Sequence, residues 1–414
     1  MSRSVPDAAE LGLMVGSPPP EPALVTLANW QDPPFNRWGF QHVRDLIPTA
    51  RIRRGEGPAW RLPREERDLL GARVRAAPGR ATPLRRLLED TYTDGFLVLH
   101  RGRILTEEYR NAMTPDTTHL CMSVSKSITS TAVGVLVGRG LLHPEDLVTT
   151  HIPELHGTSF EGCTVRHLLD MRAGTRFNED YEDLRADVRV YEQIYLWRPR
   201  TSRRLPRAMT EYYGTLRNQG PHGGPFDYRS ILTDLLGWVL ERAAGGRFAD
   251  VVSDVLWQPM GAEFDAEITV DGHGHPMADG GICCTLRDLA RFGELLRRGG
   301  KRTNRQVVPR AWVRDTLTPD PDQVAAFLAS EDAHEYPPGA YYRNKWWVVD
   351  PSKPVYLASG INGQNAIIHV PAQVVIAKFS TWPVAWDASF AIPTVRGLVD
   401  LAERIADRIQ AFVR

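Results

Sequence analysis

The chain has 414 residues, of which 42% are hydrophobic and 24% charged, and its 50 basic and 50 acidic side chains leave a formal net charge of zero. That is a globular composition with ample material for a core, divided into two or three domains or folded as one large two-lobed enzyme. It excludes the concentrated basic charge of a nucleic-acid or anionic-membrane binder, and no run of about 18 apolar residues offers a membrane span.

In chain order, residues 1–25 are rich in Pro, Ala, Gly and Ser and read as a poorly ordered segment ahead of a single catalytic domain at 26–414. Met1 to Pro20 lacks the basic start and apolar run of a secretory signal, which points to the cytoplasm. Residues 29–39 form an aromatic, Pro-rich irregular arm. The pattern predicts helices at 65–75 and 83–90. A β-hairpin of 96–100 and 103–109 turns at Arg101-Gly102. A mostly apolar helix runs from Ser123 to Gly138-Arg139-Gly140.

Residues 143–257 alternate helices with long loops. Helices are predicted at 165–171, at 230–244 with a Gly245-Gly246 stop, and at 248–257. The stretch 177–207 reads as a long functional or mobile loop, and its basic run from Arg198 to Arg207 as a solvated surface. Thr285 caps a helix at 286–298, Pro309 opens one to 317, and 394–413 is a long amphipathic helix. Strands follow at 346–349, 355–359, 365–370 and 374–380. Strands thus come from both chain ends with helices between. The expected fold is α+β: an antiparallel sheet flanked by helices, built from 26–118 and 260–414, with an inserted helical lobe at 119–259.

Ser123-x-x-Lys126 is the chemical centre. Residues three apart share a helix face, so the lysine can reach the serine hydroxyl. Serine needs a base to become a nucleophile, and lysine serves as one only if its pKa is lowered. The chain has five lysines against 45 arginines and this is its one Ser-x-x-Lys. Tyr228 and Ser230 stand just before the 230–244 helix, where a phenol can relay a proton if Lys126 stabilises its anion. Gly360 permits close backbone approach, so the Ile361 N–H with the Ser123 N–H at a helix start would make an oxyanion hole. No cofactor is called for. The four cysteines fit neither a zinc site nor a disulfide framework and read as buried thiols of a reducing cytoplasm. His334-Glu335 stands alone, without the partners of a metal hydrolase.

Ser123-x-x-Lys126, Tyr228-x-Ser230 and a Gly-containing strand, in that order, resemble the penicillin-recognising serine enzymes, in their class C β-lactamase and esterase branch, as does Gly280-Gly281 ahead of Thr285-x-x-Asp288-Leu289-Ala290-Arg291. Asn29-Trp30, Pro33-Pro34, Asn36-Arg37-Trp38, Thr91-Tyr92-Thr93-Asp94, Asn178-Glu179-Asp180-Tyr181, Asp234-Leu235-Leu236-Gly237-Trp238, Gly360-Ile361-Asn362-Gly363-Gln364 and Ser380-x-Trp382-Pro383 narrow the likeness to the 6-aminohexanoate-dimer hydrolases, the nylon-oligomer hydrolases. The resemblance implies the β-lactamase/DD-peptidase fold. It implies Ser123 as nucleophile, Lys126 and Tyr228 as proton handlers, and the Ser123 and Ile361 amides as oxyanion hole. It also makes Tyr181 a substrate-side tyrosine on a closing loop. Gly360, Asn362 and Ser230 join it in substrate binding. Two departures stand out: Ala358-Ser359-Gly360 replaces Lys-Thr-Gly, and Asn362 stands where the resemblance implies histidine.

The expected activity is hydrolysis of small linear amides or carboxylic esters through an acyl-enzyme on Ser123. A carboxylesterase without amidase activity, a β-lactamase or DD-peptidase, and a non-catalytic binding protein are the alternatives. The expected partner is a small amide or ester alone, with no nucleic acid and no membrane; a homodimer is compatible with the sequence.

Overall fold

The computed structural model describes residues 5–413, and side chains up to Asp407. A seven-stranded antiparallel sheet runs in the spatial order Tyr341–Arg343, Trp346–Asp350, Val355–Gly360, Gln364–His369, Val374–Ser380, Thr93–His100, Arg103–Tyr109. The two chain ends meet in register at its centre, with Ile376 opposite Val98 and Lys378 opposite Phe96. Every residue of Thr93–His100 and of Val374–Ser380 is buried. Their continuous apolar character follows from cover on both faces: Leu286–Arg297 packs on the central strands, and the C-terminal helix Ala388–Val413 contacts the same sheet.

The helical lobe is built on Val124–Gly138. This helix packs against Ile231–Ala244, which in turn contacts Val165–Leu169 and Phe248–Val252. Residues 124–136 are all buried, although five of them carry hydroxyls. Ser125 Oγ accepts the Ile282 N–H at 3.1 Å, and the other four donate to backbone carbonyls. Ser127 Oγ donates to Lys345 at 2.7 Å, Ser130 Oγ to Asn344 at 2.6 Å, Thr129 Oγ1 to Ala278 at 2.8 Å and Thr131 Oγ1 to Ser127 at 2.7 Å. A buried polar group is tolerated when it is bonded, and here the bonds also tie the helix to the segments around it.

Several expectations are corrected. Residues 5–25 are packed rather than loose; residues 1–4 of that segment lie outside the described residues. Ala8, Leu13 and Val25 are buried, and the Ala8 N–H donates to Asn111 Oδ1 at 2.8 Å. The predicted 65–75 helix is instead extended chain at its start, beside Arg103–Tyr109, with Glu65 N–H bonded to Ile104 O and Arg67 N–H to Leu105 O, both at 2.8 Å, and then, after a turn, the strand Arg73–Ala77 paired with Arg80–Pro83. Its charges pair at a spacing of two, Arg64 with Glu66 and Arg67 with Glu65, the spacing of one side of an extended chain. The 177–207 stretch contains the helix Asp187–Ile194, and the C-terminal helix starts at Ala388 with Pro393 inside it. A second sheet of very short strands, Thr49–Ile52, Ala266–Thr269, Ile282–Cys284 and His119–Leu120, was beyond any periodicity reading.

One buried ion pair fastens the N-terminal arm to the central sheet. Arg37 Nη1 donates to Asp94 Oδ1 and to Thr381 Oγ1, each at 2.7 Å, while His119 Nε2 lies 3.2 Å from Asp94 Oδ2. Removing one partner of a buried pair leaves the other charge uncompensated. Arg37→Met is therefore expected to lower unfolding stability by about 3–5 kcal/mol in a urea titration. A change below about 1 kcal/mol would show that the arm contributes little to holding the sheet.

Candidate active site

Ser123 is the N-cap of Val124–Gly138 and is half-buried among fully buried neighbours. The turn that delivers it is unusual: Met122 sits at φ 46°, in the left-handed region that a non-glycine residue enters only when its surroundings compel it. Gly360, at the end of Val355–Gly360, passes directly against this turn. A Cβ on Gly360 would stand 2.9 Å from the Ser123 N and from the Cys121 O. Glycine is therefore required for the Ile361 backbone to come alongside the Ser123 amide, the arrangement an oxyanion hole needs.

Lys126 is wholly buried, and its contacts define its charge state. Its Nζ is 2.8 Å from Ser123 Oγ, 2.9 Å from Ser230 Oγ and 3.1 Å from Asp279 Oδ2. The Asp279 backbone oxygen lies farther off, at 3.4 Å, so an amine surrounded by oxygen acceptors and one carboxylate has the setting of an ammonium. Burial pushes its pKa down, but Asp279 foremost, then Tyr228 and Glu179, outweigh burial and carry it above the usual lysine value. The lowered lysine that a direct Lys126 base would need is thus replaced by a fixed cation. With Ser123 Oγ accepting from Lys126, the serine's own proton is free for another base.

Tyr228 stands beside the same hydroxyl. Its phenol faces Ser123 and Lys126, and the ammonium stands 5.1 Å from its ring centroid. Burial pushes the phenol up, Lys126 draws it down, Glu179 pushes it up and Ser123 draws it down; the balance lies above the ordinary tyrosine value. The ring stacks on Trp347 at 5.6 Å, which fixes its orientation.

Glu179 lies in a motif whose sequence gives it no task of its own, and the structure places it at the centre of the network. It accepts from the Ser230 amide, from the Ser230 hydroxyl and, at 3.0 Å, from the Tyr181 hydroxyl. Ser230 therefore accepts from Lys126 and donates to Glu179, an ordered chain of protons. Burial foremost raises the Glu179 carboxyl, while Lys126 and Ser230 oppose it. Asp279, the lysine's anionic partner, was also missed; its one sequence signal is an acid directly before Gly280-Gly281.

Ser123, Glu179, Tyr181, Tyr228, Gly360 and Ile361 line one cleft of about 1140 Å³. Its apolar walls include Trp347, Val349, Trp382 and Trp386, and it extends to the C-terminal helix. Two assignments are corrected. Asn362 does not face the cleft: it is buried at φ 58° and its Nδ2 donates to Trp382 O at 3.0 Å and Val384 O at 3.1 Å. It pins the 382–386 segment, and asparagine tolerates the left-handed backbone there. Ser230 is likewise buried behind the wall, spent on Lys126 and Glu179 rather than on substrate.

The beta-lactamase family model matches residues 84–396. The 6-aminohexanoate-dimer hydrolase of Paenarthrobacter ureafaciens is 37% identical over 358 residues, covering 86% of this chain and 88% of that protein. A solved structure from Bacillus anthracis, named as a candidate 6-aminohexanoate-dimer hydrolase, superposes with a TM-score of 0.83 at 26% identity, over 94% of this chain and 99% of that one. A class C β-lactamase from Rhodobacter sphaeroides shares the fold at a TM-score of 0.53 and 16% identity, over 78% of this chain and 97% of that one. With the family model spanning most of the chain and a close relative along nearly its whole length, this chain belongs to the beta-lactamase family and is a serine hydrolase.

Proposed function

We propose that this enzyme cleaves small linear amides and carboxylic esters through an acyl-enzyme on Ser123. The observation that carries the reading is the geometry around one hydroxyl: Ser123 Oγ lies 2.8 Å from Lys126 Nζ, which is held by Ser230 and Asp279, and the Tyr228 phenol is hydrogen-bonded beside both. Ser123 Oγ attacks the acyl carbon as its proton passes to the oxygen of the Tyr228 phenolate, which becomes a phenol. The carbonyl oxygen becomes an oxyanion between the Ser123 and Ile361 amides. Collapse breaks the bond to the leaving group, which departs with the proton from Tyr228. Water then attacks the acyl-enzyme by the reverse proton path and releases the acid. The name of the Paenarthrobacter relative supports a linear amide of an ω-amino acid as substrate. Ala358 in place of lysine supplies no cation for the carboxylate of a β-lactam ring, which favours linear substrates over cyclic ones. Four buried free thiols, with Cys121 and Cys284 at 3.4 Å and unbonded, support a reducing cytoplasmic setting.

Tyr181 is assigned to the leaving group. An alcohol leaves readily, whereas an amine must be protonated as its bond breaks. Burial foremost, then Glu179, raises the Tyr181 phenol well above its ordinary value, so it stays a phenol; with its proton on Glu179, its oxygen is left to accept the N–H of the departing amide nitrogen and turn that nitrogen's lone pair towards the Tyr228 proton, a contact an ester cannot make. Tyr181→Phe is expected to lower amide turnover at least about tenfold, about 1.4 kcal/mol of barrier, and to leave short-ester turnover within a few-fold. Short p-nitrophenyl esters, linear ω-amino-acid amides and a chromogenic cephalosporin assayed side by side make the test. Equal losses on ester and amide would reduce Tyr181 to a loop-packing residue. An unmodified enzyme with ester turnover and no amide turnover would make the protein a plain carboxylesterase, and efficient cephalosporin turnover would make it a β-lactamase.

The pH dependence follows from the sign of the Tyr228 shift. The phenol lies above its ordinary value, so its reactive anion is scarce at neutral pH and grows as pH rises. On an ester, kcat/KM is expected to climb from about pH 7 to pH 9, approaching tenfold per unit. Tyr228→Phe should lose about 10²–10⁴ in kcat and flatten that slope. A wild-type profile that is level over this range would remove Tyr228 as the base.

A further inference from the structure

Behind Lys126 lies a second polar cluster, of which the reaction above uses only the contact between Asp279 and Lys126. Asp279 presents Oδ2 to Lys126 at 3.1 Å, while its Oδ1 lies 2.6 Å from the Tyr191 hydroxyl. The same hydroxyl lies 2.6 Å from Asp234 Oδ2. Asp234 Oδ1 accepts the Asp279 N–H at 3.0 Å. All three side chains are buried. A phenol has one proton and can donate it to only one of two carboxylate oxygens. At 2.6 Å the second oxygen needs a proton of its own, or two lone pairs face each other in a buried site. The trio therefore holds one proton beyond the phenol's.

The surroundings decide where it sits. Asp279 faces an ammonium. Among the described residues no cation contacts Asp234, which is walled by its own helix and by Tyr191. Burial and the Asp279 charge push the Asp234 carboxyl upward, in the same direction. The other titratable groups facing the cluster are spoken for elsewhere. Lys345 feels the charge of both aspartates, but its amine sits 3.0 Å from Met171 Sδ, and burial and Lys126 hold it towards the neutral form. Tyr195 donates to Pro276 O at 2.9 Å, Tyr181 to Glu179, Tyr213 lies 3.4 Å from His275, and Asp271 caps backbone N–H groups at 273 and 275.

We propose that Asp279 is a positioning residue that keeps Lys126 an ammonium, and that Asp234 carries the extra proton, donating it to the Tyr191 oxygen so that Tyr191 can donate to an ionised Asp279. The inference deepens the hydrolase reading, which gives the Lys126 charge its task of orienting Ser123 and steadying the Tyr228 anion.

The chain's five lysines, at 126, 301, 345, 353 and 378, make the amine directly readable. Protein labelled with [ε-13C]lysine is titrated by NMR, with the Lys126 resonance assigned by its loss in Lys126→Arg. In the unmodified protein Lys126 is expected to stay protonated to at least about pH 10.4, the ordinary lysine value. In Asp279→Asn its midpoint should fall by about one unit or more. In Asp234→Asn the new amide can donate to Tyr191 as the protonated carboxyl does, so the Lys126 midpoint should not move. Deprotonation well below the ordinary value in the unmodified protein overturns the proposal, as does an unmoved midpoint in Asp279→Asn or an equal fall in Asp234→Asn. Should Asp279→Asn not fold, the other two titrations still decide. The resonance reads the amine without turnover, so a protein inert on every substrate would refute the proposed reaction while this titration stood or fell by itself.

Discussion

A lysine ammonium with almost no access to water is the constraint on which the rest of this structure depends. Burying such a charge costs several kcal/mol unless acceptors surround it in good geometry. Here the acceptors come from three distant parts of the chain: Ser123 one turn back on the same helix, Ser230 at the start of Ile231–Ala244, and Asp279 just before the short strand Ile282–Cys284. The central helix, its neighbour in the helical lobe and the second sheet must all converge for the charge to be tolerated. The same convergence places Ser123 at the floor of a cleft whose far wall is the large sheet.

That arrangement divides the chemical labour. A lysine saturated by acceptors is a poor base but a good fixed electrode, and it orders the protons of both serines it touches. Ser230 passes that order to Glu179, and Glu179 to Tyr181 at the cleft surface. Ser123 and Tyr181, the proposed nucleophile and the proposed partner of the leaving group, are thus ends of one hydrogen-bonded chain. The backbone contributes the rest: a left-handed Met122 lifts Ser123 into the cleft, and Gly360 lets the neighbouring strand end approach within contact of its amide.

Much of this was legible in the sequence where local chemistry and local geometry coincide. Ser123 and Lys126 share a helix face, Tyr228 precedes a well-marked helix, and the strands from 346 to 380 are apolar runs broken by turn residues, so their elements could be read directly. Asp279 could not be, because its partner is 153 positions away and only the fold brings them together. Glu179 lay inside a recognisable motif, but an acidic residue among five polar neighbours reads as solvated until its three donors are seen. Asn362 misled for the opposite reason. Its place beside the oxyanion strand suggested substrate contact, whereas its left-handed backbone turns the side chain inward onto Trp382 and Val384. The 65–75 segment failed because alternating charges satisfy a helix and an extended chain equally well, and pairing with the edge strand settled the matter.

The central claim is that Ser123 carries the acyl group. Rapid-quench intact-mass measurement with a slowly deacylating ester, followed by peptide mapping, tests it most directly. The account predicts a transient mass increase equal to one acyl group, located on the peptide that contains Ser123 and absent from Ser123→Ala. An acyl group on any other residue, or steady turnover by Ser123→Ala at a rate near that of the unmodified enzyme, would contradict it.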